Sequence, residues 1–156
     1  MPGKAASPGF TLVELMVTIA VLAILASIAT PMFGSLIQKN KLDAASGELT
    51  HLLQYARTEA VTRGVSVTVK TSDSNWVGAV SVATSSETLR QYGSEGINGA
   101  SGVSASGTAT SLTFRPSGTL SGSAISITLC TLDGGSSGRV LSVSGSGLIS
   151  STSKEC

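Results

Sequence analysis

Two features of this 156-residue chain carry chemistry: a carboxylate set in an apolar run, and a cysteine pair late in the sequence. Glu14 is the single charge in FTLVELMVTIAVLAILASIA, the run from Phe10 to Ala29. An ionised group in such a run costs about 2.5–3.5 kcal/mol on insertion scales and normally has a partner. Cys130 and Cys156 are the two thiols and His51 is the one histidine, too few side chains for the common zinc sites. There is no CxxC, no HExxH and no phosphate-cradling GxxxxGK motif. No nucleophile–base pair is legible, so the chain reads as a non-enzyme with no cofactor and no metal. His51, among Leu49, Leu52 and Leu53, reads as a helix-surface or partly packed histidine. Tyr55, Trp76, Tyr92 and Phe114 are dispersed with few basic neighbours. They read as core or rim rather than as a base-stacking platform.

Composition constrains the elements that must hold these residues. Charged residues are 12% of the chain, about half the usual share, and aromatics are 4%. Ten basic and nine acidic side chains leave a formal charge of +1, which argues against coating nucleic acid through bulk charge. The mean hydropathy of +0.33 is concentrated at the N-terminus. A helix over the Phe10–Ala29 run spans roughly 30 Å, the thickness of a bilayer's hydrocarbon core. Three readings of that run compete. A secretory signal peptide would use Lys4 as its basic end and Ser27-Ile28-Ala29 as its cleavage site, and it leaves Glu14 unexplained. A plain membrane anchor leaves Glu14 unexplained too. A cut after Gly9 instead frees the amine of Phe10, and Glu14 then pairs with such an amine on its own or a neighbouring chain.

After Pro31 the pattern becomes amphipathic. Leu42, Ala45, Leu49, Leu52, Leu53, Ala56 and Ala60 recur at helical spacing, Glu59 and Arg63 stand four apart, and Gly64 supplies a stop. The spacing predicts a helix from about Phe10 to Arg63, roughly 80 Å long, that bends or locally melts around Pro31, Gly34 and Gly47. Short β-branched runs follow at Val65–Lys70, Trp76–Val82, Leu112–Arg115, Ile125–Leu129 and Val140–Val143, separated by Gly-, Pro- and Asp-rich turns. Residues 84–111 are poor in large apolar side chains and read as a long loop with one short strand near Leu89–Tyr92. Helix first and strands after implies an α+β fold, with an antiparallel sheet packed on the helix.

The segment Gly9-Phe10-Thr11-Leu12-Val13-Glu14-Leu15 resembles the type III signal of type IV pilins and type II secretion pseudopilins. That resemblance implies cleavage after Gly9, N-methylation of Phe10, and subunit docking through Glu14. The short leader with Lys4 is consistent with it, and Pro31 matches a helix-kinking proline found in many pilins. Leu53-Gln54-Tyr55-Ala56-Arg57-Thr58-Glu59-Ala60-Val61-Thr62-Arg63-Gly64 resembles the helix signature of the GspH/FimT group. Trp76, the Phe114-Arg115-Pro116-Ser117-Gly118 segment and the late cysteines follow the layout of FimT/FimU-type minor pilins. The implied domains are a leader over 1–9, a transmembrane and assembly helix over 10–30, an amphipathic half over 31–63, and a β-rich domain over 64–156.

The resemblance implies the inner membrane of a Gram-negative bacterium, with the β-rich domain in the periplasm and later in the fibre. In that oxidising compartment Cys130 and Cys156 pair as a disulfide. Implied partners are other minor and major pilins, a prepilin peptidase and an inner-membrane assembly platform. The expected role is a minor pilin at or near the fibre tip that primes assembly. One alternative is the H-type minor pseudopilin of type II secretion. Another is a DNA-uptake minor pilin that contacts DNA through Arg139. The DNA-uptake relatives carry Gly-Arg-x-Arg near the C-terminus, whereas here Gly138-Arg139-Val140-Leu141 lacks the second arginine. Loss of a leader carrying Lys4 also leaves nine basic against nine acidic side chains, so DNA is the less favoured partner.

Overall fold

The structure, a computed structural model, describes residues 9–92, 96–97, 100–132 and 136–156, without the side chains of residues 29–32. Of the expected leader, all but Gly9 lies outside the described residues, as does the Asp133-Gly134-Gly135 turn. The chain forms two compact units, Met1–Leu36 and Ile37–Cys156.

Helix α1 runs over Leu12–Arg63. Thr11 starts it: its Oγ1 accepts from the Glu14 N–H at 3.2 Å, while its carbonyl accepts from the Leu15 N–H. A threonine three residues before a glutamate is the spacing of a capping box, and a carboxylate in the first turn suits the positive helix end. Helical backbone is continuous through Pro31, Gly34 and Gly47, so the local melting expected there does not occur. Proline's missing N–H removes one rung, and the turns on either side remain bonded. At the other end Gly64 adopts φ +66°, the left-handed conformation that terminates helices and that glycine takes without strain.

In the second unit the seven apolar positions of the amphipathic half are all buried: Leu42, Ala45, Leu49, Leu52, Leu53, Ala56 and Ala60. They join one core with side chains from two antiparallel sheets. The first sheet has the order β3-β2-β1-β5, with β1 Val67–Thr71, β2 Val80–Ala83, β3 Thr88–Gln91 and β5 Ser111–Phe114. The second has the order β4-β6-β7-β8, with β4 Val103–Gly107, β6 Ile125–Thr131, β7 Ser137–Val143 and β8 Ile149–Glu155. Alternation along β1 and β6 buries Val67 and Val69, and Ile125, Ile127 and Leu129, on the helix side.

Three expectations are corrected. A single sheet was expected, and two are present. Residues 84–111 hold two strands, β3 and β4, rather than a long loop with one. The strand expected over Trp76–Val82 begins only at Val80, because Trp76 lies in the preceding turn and inserts into the core. There its indole Nε1 donates to the Ala109 carbonyl at 2.9 Å and lies directly over Gly107, where a Cβ would come within 2.2 Å of Nε1. Strand β8 was not anticipated at all.

Cys130 and Cys156 form the expected disulfide, which ties β6 to the end of β8. It crosses β7 at Gly138, the residue in register with Cys130 on one side and Lys154 on the other. A Cβ on Gly138 would lie 2.2 Å from Cys156 Sγ and 2.9 Å from the Leu129 carbonyl oxygen. Gly138→Ala therefore lowers the stability of the oxidised domain by about 1–3 kcal/mol, the range for overpacking. Thermal unfolding of this variant in a Cys130→Ser, Cys156→Ser background should show a smaller loss, because the sulfur contact is gone.

Candidate assembly interface and the residues that brace the domain

The N-terminal part of α1 is apolar around its whole circumference. Leu12 is 73% exposed, Leu15 59%, Ile19 57% and Leu22 63%, so no face of this segment is covered. No residue of its most apolar window is buried, and it is long and apolar enough to cross a membrane. A helix apolar on every side requires apolar surroundings on every side, either lipid or other helices. Phe10, 82% exposed, lies at its start, just beyond Gly9. Glu14 sits in the first turn and is exposed, and none of the three ion pairs among the described residues involves it. Pro31 lies within the helix further along.

Charged residues on the amphipathic half are turned to a different task. Arg57 donates from Nε to the Gly118 carbonyl at 3.0 Å. This joins the helix signature to the Pro116-Ser117-Gly118 turn, two segments that sequence reading had singled out separately. The same corner includes Gly147, at φ +80°, whose Cβ would lie 2.0 Å from the Gly118 oxygen. Arg63 pairs with Glu59 one turn back and with Glu87 in the turn before β3. Tyr92 donates its hydroxyl to Glu48 Oε1 at 2.7 Å, and the Arg90 guanidinium lies 4.8 Å from the centre of the Tyr55 ring. Burial, then the hydrogen bond and charge of Glu48, push the Tyr92 phenol above its ordinary value.

Arg139 donates from Nε to Asp43 Oδ1 at 2.7 Å, from β7 to the helix. The pair borders a groove of about 240 Å³ that is also lined by Lys39, Lys154 and Glu155. The arginine named as a DNA contact is thus engaged with a carboxylate in this structure. His51 is exposed on the helix, Trp76 and Phe114 are fully buried, and Tyr55 and Tyr92 form the rim. Among the described residues no three His, Cys, Asp or Glu side chains converge on a metal-sized site. Sequence reading missed Asp43, Glu48 and Arg57 as bracing residues. Their signal was positional: each is a charge next to the apolar stripe, with its partner far along the chain.

A capped apolar helix leading into a helix-on-sheet domain is the architecture of pilin-like proteins. The model of the family described as type II transport protein GspH matches residues 45–147, and a prokaryotic N-terminal methylation motif matches residues 5–30. The chain belongs to the GspH family, with the pilin-like fold of structural, non-enzymatic subunits. Two crystal structures of the type IV minor pilin FimU of Pseudomonas aeruginosa resemble it, with TM-scores of 0.62 and 0.61 at 29% identity. They cover 74% and 71% of this chain, and 90% and 92% of theirs. The type IV major alpha-pilin of Moraxella bovis is 50% identical over 44 residues, 28% of this chain and 28% of that pilin's length.

Two measurements test these braces. Arg57→Met should destabilise the domain by about 1 kcal/mol, the net size of an ordinary intramolecular hydrogen bond, as read by chemical denaturation. For Tyr92, a raised folded-state pKa stabilises the fold below the usual tyrosine value of about 10 and is lost as pH rises through the raised value. Ultraviolet titration of Tyr92 in a Tyr55→Phe background should place its midpoint above that of unfolded tyrosine. Glu48→Gln should bring it down.

Proposed function

We propose that this chain is a minor pilin subunit of a type IV pilus, incorporated at or near the fibre tip, where it helps prime assembly. The observation that carries this reading is the uncovered apolar helix, which carries Glu14 within the span of the methylation motif. In this reading a prepilin peptidase cuts after Gly9, and the amine of Phe10 is methylated. The helix over 10–30 then holds the subunit in the inner membrane, with residues 64–156 on the periplasmic side. Assembly by the inner-membrane platform transfers the helix from lipid to the helices of neighbouring pilins, so apolar packing replaces lipid contact. Glu14 pairs there with the amine of an adjacent subunit, which offsets the cost of an ionised group in apolar surroundings. Pro31 gives the helix a natural point to bend between its membrane and domain halves. The subunit has no catalytic role.

The likeness to a minor pilin structure over 90% of that chain favours the pilus. Membership of a family of type II transport proteins keeps the H-type pseudopilin of type II secretion as the second reading. DNA uptake is third, because Arg139 is already paired with Asp43.

Intact mass of protein from membranes and from sheared fibres tests the proposal. The expected chain begins at a methylated Phe10 and is recovered with the fibres. A chain beginning at Thr30 and free of membranes overturns it, and a processed chain absent from fibres favours the secretion reading. Glu14→Gln should still be cut and should accumulate in the membrane, with its recovery in fibres falling at least about tenfold. That factor corresponds to about 1.4 kcal/mol of lost docking energy.

A further inference from the structure

Strand β8 is held with almost no burial of its own side chains. From Ser150 to Glu155 all of its residues are exposed on both faces, and only Ile149 is half-buried. On the face that β8 shares with the core, Ser151, Ser153 and Glu155 stay exposed, and the buried side chains end at Leu141 and Val143 of β7. Apolar burial therefore contributes almost nothing to keeping β8 in place. Its attachments are a ladder in which each of its seven residues has a β7 partner, and the Cys130–Cys156 bond at its far end. The near end is the 144–148 turn, closed by the Ser144 N–H donating to the Leu148 carbonyl and the Gly147 N–H donating to the Ser144 carbonyl, and containing Gly145 and Gly147.

We propose that β8 is a disulfide-clasped strand. When the clasp is reduced, it leaves the β7 edge and exchanges with the β8 of a second copy of this chain. Reduction by a dithiol breaks the S–S bond and delivers two electrons and two protons. It yields the Cys130 and Cys156 thiols, and the dithiol becomes a disulfide. The sulfur then no longer lies over Gly138, and the end of β8 is held only by backbone bonds at an exposed sheet edge. A bare β7 edge is a row of unpaired donors and acceptors, which recruits another strand. The occupant is a second β8 because this sequence already fits that edge residue for residue over seven pairs. The glycines of the 144–148 turn supply the hinge that exchange requires. Closing the clasp keeps the edge covered and the subunit monomeric at this sheet.

The test compares the full chain, in detergent micelles, oxidised and after dithiothreitol. In reduced chain dilute enough to be monomeric, hydrogen exchange read by mass spectrometry should accelerate on the order of a hundredfold across 144–155 and stay unchanged in β1, β2 and β6. Light scattering should show a reduced dimer whose fraction rises with concentration. Reoxidation of mixed light and heavy-nitrogen chains should then yield peptides joining Cys130 of one copy to Cys156 of the other. The Cys130→Ser, Cys156→Ser variant should match the reduced chain in exchange and dimerisation without any reductant. The proposal is overturned by β8 staying protected in the dilute reduced monomer, by the whole domain losing protection with it, or by a released β8 in a chain that remains monomeric as its concentration is raised.

Discussion

One stripe of side chains on α1, from Leu42 to Ala60, gives both sheets a common surface on which to pack. Three of its seven positions are alanine and four are leucine, and all seven are buried in the shared core. Each buried leucine contributes about 1.5–3 kcal/mol, so the stripe is the largest continuous source of stability in the domain. Without it the sheets have no shared core: β1 and β2 present Val67, Val69, Val80 and Val82 to the same interior as Ile127, Leu129 and Leu141.

Polar contacts at the edge of this core set position rather than supply stability. Arg57, Arg63, Glu48 and Asp43 each reach from the helix to a different strand or turn. Partly exposed pairs of this kind are individually worth at most about 1 kcal/mol. Their value lies in geometry. They fix the turn before β3, the Gly118 corner and β7 against the helix segment of the second unit. The two halves of the helix thus divide the work: one braces a domain, and the other presents a surface that only lipid or other helices can cover.

The disulfide belongs to a third part of the design. From Ser150 onward strand β8 buries no side chain, so apolar burial does not secure it. A covalent link across Gly138 takes its place, and glycine is required because the sulfur occupies the space of its missing side chain.

The N-terminal helix, its end at Gly64 and its buried stripe were legible in the sequence. Each depends on local spacing or on a single residue's backbone preference. The cysteine pair was legible once a family resemblance supplied the compartment. The second sheet, β4 and β8 were not, because runs such as Val103-Ser-Ala-Ser-Gly and Ile149-Ser-Ser-Thr-Ser become strands only when a neighbour pairs with them. Their pairing is set by register with β6 and β7, which is a relation between distant segments. Which charged residue meets which was decided by the tertiary structure for the same reason. Arg139 finds Asp43, 96 residues away, because folding brings β7 against the helix. Sequence alone determined the local periodic elements and the unusual carboxylate at position 14. Tertiary structure decided every partnership across the chain, because those energies exist only once the segments meet.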